Sequence, residues 1–275
     1  CSVIADKMAL AYSDYVLTEA GFGADLGFEK FMHIKTRFNG LQPYAAVIVA
    51  SVRALKSHGG IPIRELGSPS PTAVRAGMPN LKHLISAIKS FGLPVVVAIN
   101  KFPDDTAEEL SIVKEESENA GAEAAVESDV FTLGGGGAIE LAEAVVKVTD
   151  REAPDITYMY DISDTLEQKI QSLASKMYNA KDVTLSLAAR RALRRFEENG
   201  WSDLPICMAK THLSLSHNRS LKGLPQDYTF MVSDARASRG AGFIYPIAGN
   251  IMTMPGLPGR PRQLDVDSEG NILGL

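Results

Sequence analysis

The chain has 275 residues, 45% of them hydrophobic and 22% charged, with a formal net charge of −5. This ordinary globular composition carries no basic footprint for nucleic acid and no polybasic patch for a membrane surface, so an anionic ligand needs local cations. Two cysteines, Cys1 and Cys207, make neither a disulfide framework nor a zinc site; the five histidines show no HxxxH or HExxH spacing, and no apolar run reaches the roughly 18–20 residues that span a bilayer.

The opening CSVIADKMALAYSDYVLTEAG has no initiator Met and no signal-peptide pattern. Ser2–Ala11 reads as a helix leading straight into a short strand, Asp14–Thr18, and so abrupt a start is expected of a fragment, a processed product or one half of a split chain. A polar loop follows, and Ala45–Ala50 is a continuous apolar strand. Asn80–Phe91 has helical periodicity, with Leu81, Leu84, Ile85 and Ile88 on one face. Pro94–Ile99 (PVVVAI) is β-branched and unbroken, the pattern of a buried parallel strand. Asp105–Ala120 reads as an amphipathic helix with Thr106 and Glu109 as a capping box. A short strand, Ala124–Val126, precedes the glycine run Gly134–Gly137 and a helix over Ala138–Val148. Ile156–Tyr160 reads as a strand, and Thr165–Tyr178 and Ser186–Asn199 as helices. After Trp201 the segments LPICMAKT, YTFMVSDARA and GFIYPIAG read as strands joined by long loops. Met254–Pro261, with three prolines and two glycines, is irregular.

The alternation predicts an α/β fold with a mostly parallel sheet and a β-rich C-terminal part. Soft boundaries fall near residues 82 and 183, giving units 1–82, 83–182 and 183–275. In open α/β sheets ligands bind beyond the carboxyl ends of strands, and three polar loops occupy such positions. In Glu19–Phe31 (EAGFGADLGFEKF), Gly21, Gly23 and Gly27 allow close backbone approach, while Glu19 and Asp25 supply carboxylates; a tight turn explains the same residues. GxGxxxG is not the dinucleotide spacing. In NKFPDD, Asn100 offers an amide and Phe102 an aromatic face, against the alternative of a polar turn stopped by Pro103. The Asn100–Lys101 pair resembles the base-reading NKxD motif of GTPases, but position 103 is Pro. In FTLGGGG, four glycines beside Phe131 suit either close approach to a phosphate or a flexible loop. Arg190, Arg191, Arg194 and Arg195 form a basic helical face of solvated type. Lys210, Thr211 and His212 end the segment PICMAK, where a phosphate or carboxylate fits. Arg53 and Lys56 lie just past a strand. No GxxxxGK[ST] phosphate loop, GxSxG elbow or zinc signature occurs.

These loops resemble formate–tetrahydrofolate ligase, over its C-terminal half or so. TEAGFGADLGFEKF is similar to the family's TEAGFGADxGxEKF, VASVRALKSHGG to its VxTxRALKxHGG, and VVVAINKFPDDTAEE to its VVAxNxFxxDTxxE. LPICMAKTHLSLS, ASRGAGFIYPIAG and IMTMPGLPGRP resemble its C-terminal stretches, with wording closer to the eukaryotic versions. The resemblance implies part of a P-loop-type parallel sheet followed by a second α/β domain and a smaller β-rich C-terminal domain. It implies ATP-dependent ligation of formate to tetrahydrofolate in one-carbon metabolism: ATP phosphorylates formate, and N10 of the folate attacks the formyl phosphate. Phe102 and Pro103 would wall the pterin site, with Phe131 on the other face where the family often has Trp in WAxGGxG. Glu19–Gly27, including Gly21, Phe22 and Gly23, would lie beside formyl phosphate, with Glu19 and Asp25 catalytic. Asn100, Lys210, Pro255 and Gly256 would lie toward the nucleotide. ATP with Mg2+, a monovalent cation, a homo-oligomer, a cytoplasmic or mitochondrial compartment, and a missing N-terminal half or fused dehydrogenase/cyclohydrolase are further implications. The family's phosphate loop and its catalytic Lys and Arg precede the matching segment, so this stretch alone is expected to be inactive. A folate-binding module without turnover, a GTPase-like fragment and an assembly role stay open.

Overall fold

A computed structural model describes residues 2–249, 251, 265–268 and 272–273. Helix α1 (Val3–Tyr12) is capped by the Ser2 hydroxyl, which accepts from the Ala5 amide, and is tied to the next helical stretch by an Asp6–Lys35 ion pair. Residues 14–18 form no strand: they find no ladder partner, and the Tyr15 hydroxyl instead donates to Asp150. Two wide helical turns, Gly23–Phe28 and Phe31–Thr36, and the short α2 (Arg37–Asn39) lead into β1 (Ala46–Ala50).

Helix α3 (Val52–His58) follows, then α4 (Pro71–Lys89), β2 (Val95–Asn100), α5 (Ala107–Asn119) and β3 (Ala124–Ser128). The three strands form one parallel sheet in the order β1-β2-β3. Helix α4 starts well before Asn80 and carries Pro79 inside it. Proline removes one helical hydrogen bond, but burial of Val74, Met78, Leu81 and Ile85 on both sides of it holds the helix through. Residue 82 therefore lies within a continuous helix, and β1 and β2 on either side of it share one sheet. The capping box of α5 is present: Thr106 Oγ1 accepts from Glu109 N–H, and the Glu109 carboxylate accepts from Thr106 N–H at 3.0 Å.

Helix α6 (Val130–Leu133), a 3₁₀ turn (Gly134–Ala138) and α7 (Ile139–Thr149) come next. Residues 156–160 are not a strand; Thr157 bonds instead to the main chain of Ser90 and Phe91. Helix α8 (Leu166–Lys176) precedes β4 (Asp182–Leu185), and α9 (Leu187–Glu198) leads to β5 (Thr229–Val232), β6 (Asp234–Ser238) and β7 (Phe243–Ile247). Strand β4 pairs with β5 in parallel, and β6 with β7 antiparallel. The segment LPICMAKT makes only isolated bridges to β7, at Ile206 and Ala209. Strands β8 (Asp265–Val266) and β9 (Ile272–Leu273) pair antiparallel. The result is a mixed α/β protein with parallel sheets and smaller antiparallel pairs near its C-terminus. One apolar core runs from Phe28 through the three-stranded sheet to α8, α9 and β7.

Candidate functional site

The carboxyl ends of β2 and β3 lie side by side, because Asn100 is in register with Ser128 and Lys101 N–H donates to Ser128 O at 3.1 Å. Two of the expected ligand loops therefore leave the sheet at neighbouring points. Phe102 N–H donates to Asp105 Oδ2 at 2.8 Å and closes the NKFPDD turn. Arg53, the second residue of α3 past the end of β1, donates to Asp104 Oδ2 at 2.8 Å and sets its guanidinium 4.5 Å from the Phe102 ring centre. Three strand ends thus contribute to one patch. Pro103 is exposed and Asn100 half-buried. Lys101 pairs with Glu127 at 3.0 Å instead of standing free.

Phe131, on α6, is 93% exposed. The four glycines after it differ in what they do. A Cβ on Gly137 would sit 2.3 Å from Asp129 O, so this position must be glycine for the loop to close. Gly134 takes φ +59°, a conformation that L side chains rarely adopt. Gly135 and Gly136 border open space. The run is therefore a shaped turn carrying an outward aromatic ring.

The third loop, residues 19–28, folds on itself. Gly21 has φ +93°, and its backbone touches Gly27, where a Cβ would lie 2.4 Å from Gly21 C. That contact explains the GxGxxxG spacing. It also presents Asp25 to Lys210, whose ammonium is buried and ion-paired to Asp25 Oδ2. Lys210 Nζ also donates to Thr211 O at 3.1 Å and Ser214 O at 2.7 Å, so all three of its protons are used. Burial lowers the Lys210 pKa, and Asp25 opposes the shift. Phe22 is 70% exposed and meets the His212 ring edge-on at 5.8 Å. Gly23 starts the helical turn, and Glu19 is exposed.

Beneath this pair lies a group that the sequence reading passes over. Glu29 is fully buried and neither carboxyl oxygen has a hydrogen bond of good geometry. Burial pushes its pKa up to about 8, with the Met208 amide, Lys30 and Lys210 offsetting only part. Lys56, a candidate from its position, is structural: it is buried against Glu109 at 2.7 Å and donates to Leu66 O and Ser68 O. Burial alone would raise the Glu109 pKa, but Lys56 and donors from Ser70 and Thr106 bring it down to about 2. No local pattern marks Glu29, since a Glu in EKF reads as surface; the pairing of Asp25 with Lys210 spans 185 residues. Pro255 and Gly256 lie outside the described residues.

The family model of formate–tetrahydrofolate ligase matches residues 1–275. The chain belongs to that family. Its curated relatives include the formate–tetrahydrofolate ligases of Desulforamulus reducens and Roseiflexus sp. (47% identical each) and of Herpetosiphon aurantiacus (48%). Each comparison covers 100% of this chain and 50% of the relative, so the chain spans about half the length of the ligases it matches. Among the described residues no helix is long and apolar enough to cross a membrane, and no group of three or more His, Cys, Asp or Glu could hold a metal ion. No phosphate-loop motif occurs in the 275-residue sequence.

Proposed function

We propose that this chain is the tetrahydrofolate-binding part of a formate–tetrahydrofolate ligase, serving one-carbon metabolism by forming 10-formyltetrahydrofolate from formate, tetrahydrofolate and ATP. The carrying observation is that Phe102 and Phe131 leave adjacent strand ends, the first braced by Arg53 and the second turned outward. A pterin is flat and aromatic, and stacking on such rings contributes about 0.5–1.5 kcal/mol per pair beyond buried area. Phe102 and Pro103 form one wall of this site, Phe131 the other, and Asn100 offers its amide to the ring's polar edge.

The loop of Gly21, Phe22 and Gly23 borders the formyl group in this reading. Glu19 is the exposed carboxylate that accepts the N10 proton as the folate nitrogen attacks the carbon of formyl phosphate, the C–O bond breaks and inorganic phosphate leaves. Asp25, tied to Lys210, holds the loop in shape, and Lys210 positions it without meeting ligand. Phosphorylation of formate by ATP falls to the half of the ligase that this chain does not match.

The test is a titration of the chain with tetrahydrofolate, followed by intrinsic fluorescence, with Phe102→Ala and Phe131→Ala alongside. Binding weakened by both variants is expected; binding unchanged by either overturns the site.

A further inference from the structure

Arg53 is held in a place that stability does not explain. It is the second residue of α3, whose first turn is capped by the Ser51 hydroxyl, and a cation there opposes the helix dipole. Its ion pair with Asp104 joins side chains that are 39% and 54% exposed, and such surface pairs add little to a fold. Its Nε–H is buried and finds no hydrogen-bond partner, which is a cost. What remains is the ring. The guanidinium lies 4.5 Å from the Phe102 centroid, and Asp104, two residues further along the same turn, fixes it there at 2.8 Å.

A ring has two faces. The guanidinium covers one face of the half-buried Phe102, so a flat ligand that stacks on this ring meets the other. A cation over an aromatic ring is attracted by its negative face and draws electron density toward itself. The far face is left poorer in electrons and pairs best with an electron-rich partner. The reduced pterin of tetrahydrofolate is such a partner, because its N5 and N8 amines feed their lone pairs into the pyrimidine ring. In the oxidised pterin of folic acid the same two nitrogens belong to a pyrazine ring and withdraw density.

We infer that Arg53 is a specificity-determining residue, which acts through the Phe102 ring to favour the reduced pterin over the oxidised one. The inference rests on the pterin site proposed at Phe102 and Phe131, and it names the oxidation state which that site selects. Simple charge attraction gives no such preference, since tetrahydrofolate and folic acid carry the same glutamate carboxylates.

The test titrates tetrahydrofolate, without oxygen, into the parent chain, Arg53→Gln, Phe102→Ala and the double variant. Folic acid is measured on each by competition, so that weak binding still yields a ratio of the two affinities. A brace that merely holds Phe102 in place would weaken both ligands together and leave that ratio unchanged. The expected result is that Arg53→Gln lowers the preference for tetrahydrofolate roughly two- to fivefold. Arg53→Lys keeps a charge that is more strongly hydrated and rests less well on the ring, so it should lose less than Arg53→Gln. In the Phe102→Ala background, Arg53→Gln should leave the ratio unchanged, because the ring that carries the effect is gone. A ratio equal in Arg53→Gln and the parent overturns the inference. So does a ratio that falls as far without the Phe102 ring, which would put the cation on the ligand itself. Should Arg53→Gln fail to fold, Arg53→Met, which keeps an aliphatic stem over the ring without the charge, decides on the same terms. A parent chain that binds neither ligand removes the pterin site and this inference with it, whereas one that binds tetrahydrofolate with a ratio indifferent to Arg53 keeps the site and loses only the inference.

Discussion

The loops at the carboxyl edge of the three-stranded sheet and the node around Lys210 invert each other's physical chemistry. At the sheet edge the candidate groups are apolar: Phe131 stands almost wholly in solvent, and the half-buried Phe102 is braced by Arg53. At the node the groups are charged and buried: Lys210 uses every ammonium proton on Asp25 and two carbonyls, above the unsatisfied Glu29. An exposed ring does little for the fold, so removing it should cost little stability. A saturated buried ion pair explains itself through the shape it holds. Ligand binding should therefore respond to the first region, and stability to the second.

The largest effect separates them directly. Lys210→Ala leaves Asp25 without its cation and two buried carbonyls without a donor, which should destabilise the fold by about 3–5 kcal/mol. Phe131→Ala should stay within about 0.5 kcal/mol of the parent, as exposed substitutions do. Urea unfolding of both variants checks this, and equal midpoints would break the contrast.

The next effect concerns pH. Glu29 binds its proton more tightly folded, near pH 8, than unfolded, near its ordinary value. The folded state then holds more protons between about pH 4.5 and 8, so stability falls as pH rises through that window, by at most about 1.4 kcal/mol per pH unit. Glu109 is the opposite case. Its folded pKa of about 2 means that its contribution is present above about pH 4.5 and is lost as pH falls toward 2. Thermal melts across pH 2–8 should show Glu29→Gln flattening the upper slope and Glu109→Gln flattening the lower one.

A smaller effect tests the glycines. Gly27→Ala drives a methyl into the Gly21 backbone and should cost about 1–3 kcal/mol, whereas Gly135→Ala, facing open space, should cost less than about 0.5 kcal/mol. The two loops look alike in sequence, and only the folded contacts tell an obligatory glycine from a tolerated one.

That distinction marks how far the sequence can be read. PVVVAI, the Thr106–Glu109 capping box and α8 and α9 are local patterns, and each is where the residues suggest. The strand expected at 14–18 and the one at 156–160 fail because strand propensity needs a neighbouring ladder, which depends on distant residues. Helix α4 was hidden by Pro79, whose local cost is outweighed by burial on either side. At the candidate site, Phe102, Phe131 and the glycine loops were legible as residues after strands. The Asp25–Lys210 pair and Glu29 were not, since both are set by packing between segments far apart in the chain.

The smallest expected effect bears most directly on the pterin site. If Phe131 supplies one stacking face, Phe131→Ala should weaken tetrahydrofolate binding by the 0.5–1.5 kcal/mol of one aromatic pair, roughly two- to twelvefold. Phe131→Trp, which enlarges the face without adding a polar demand at an exposed position, should bind at least as tightly as the parent. Phe102→Ala should lose at least as much as Phe131→Ala, because it also frees the Arg53 guanidinium from the ring it rests on. A Phe131→Ala protein that binds folate as the parent does would leave the exposed ring without a ligand, and the contrast between the two regions would then rest on the buried node alone.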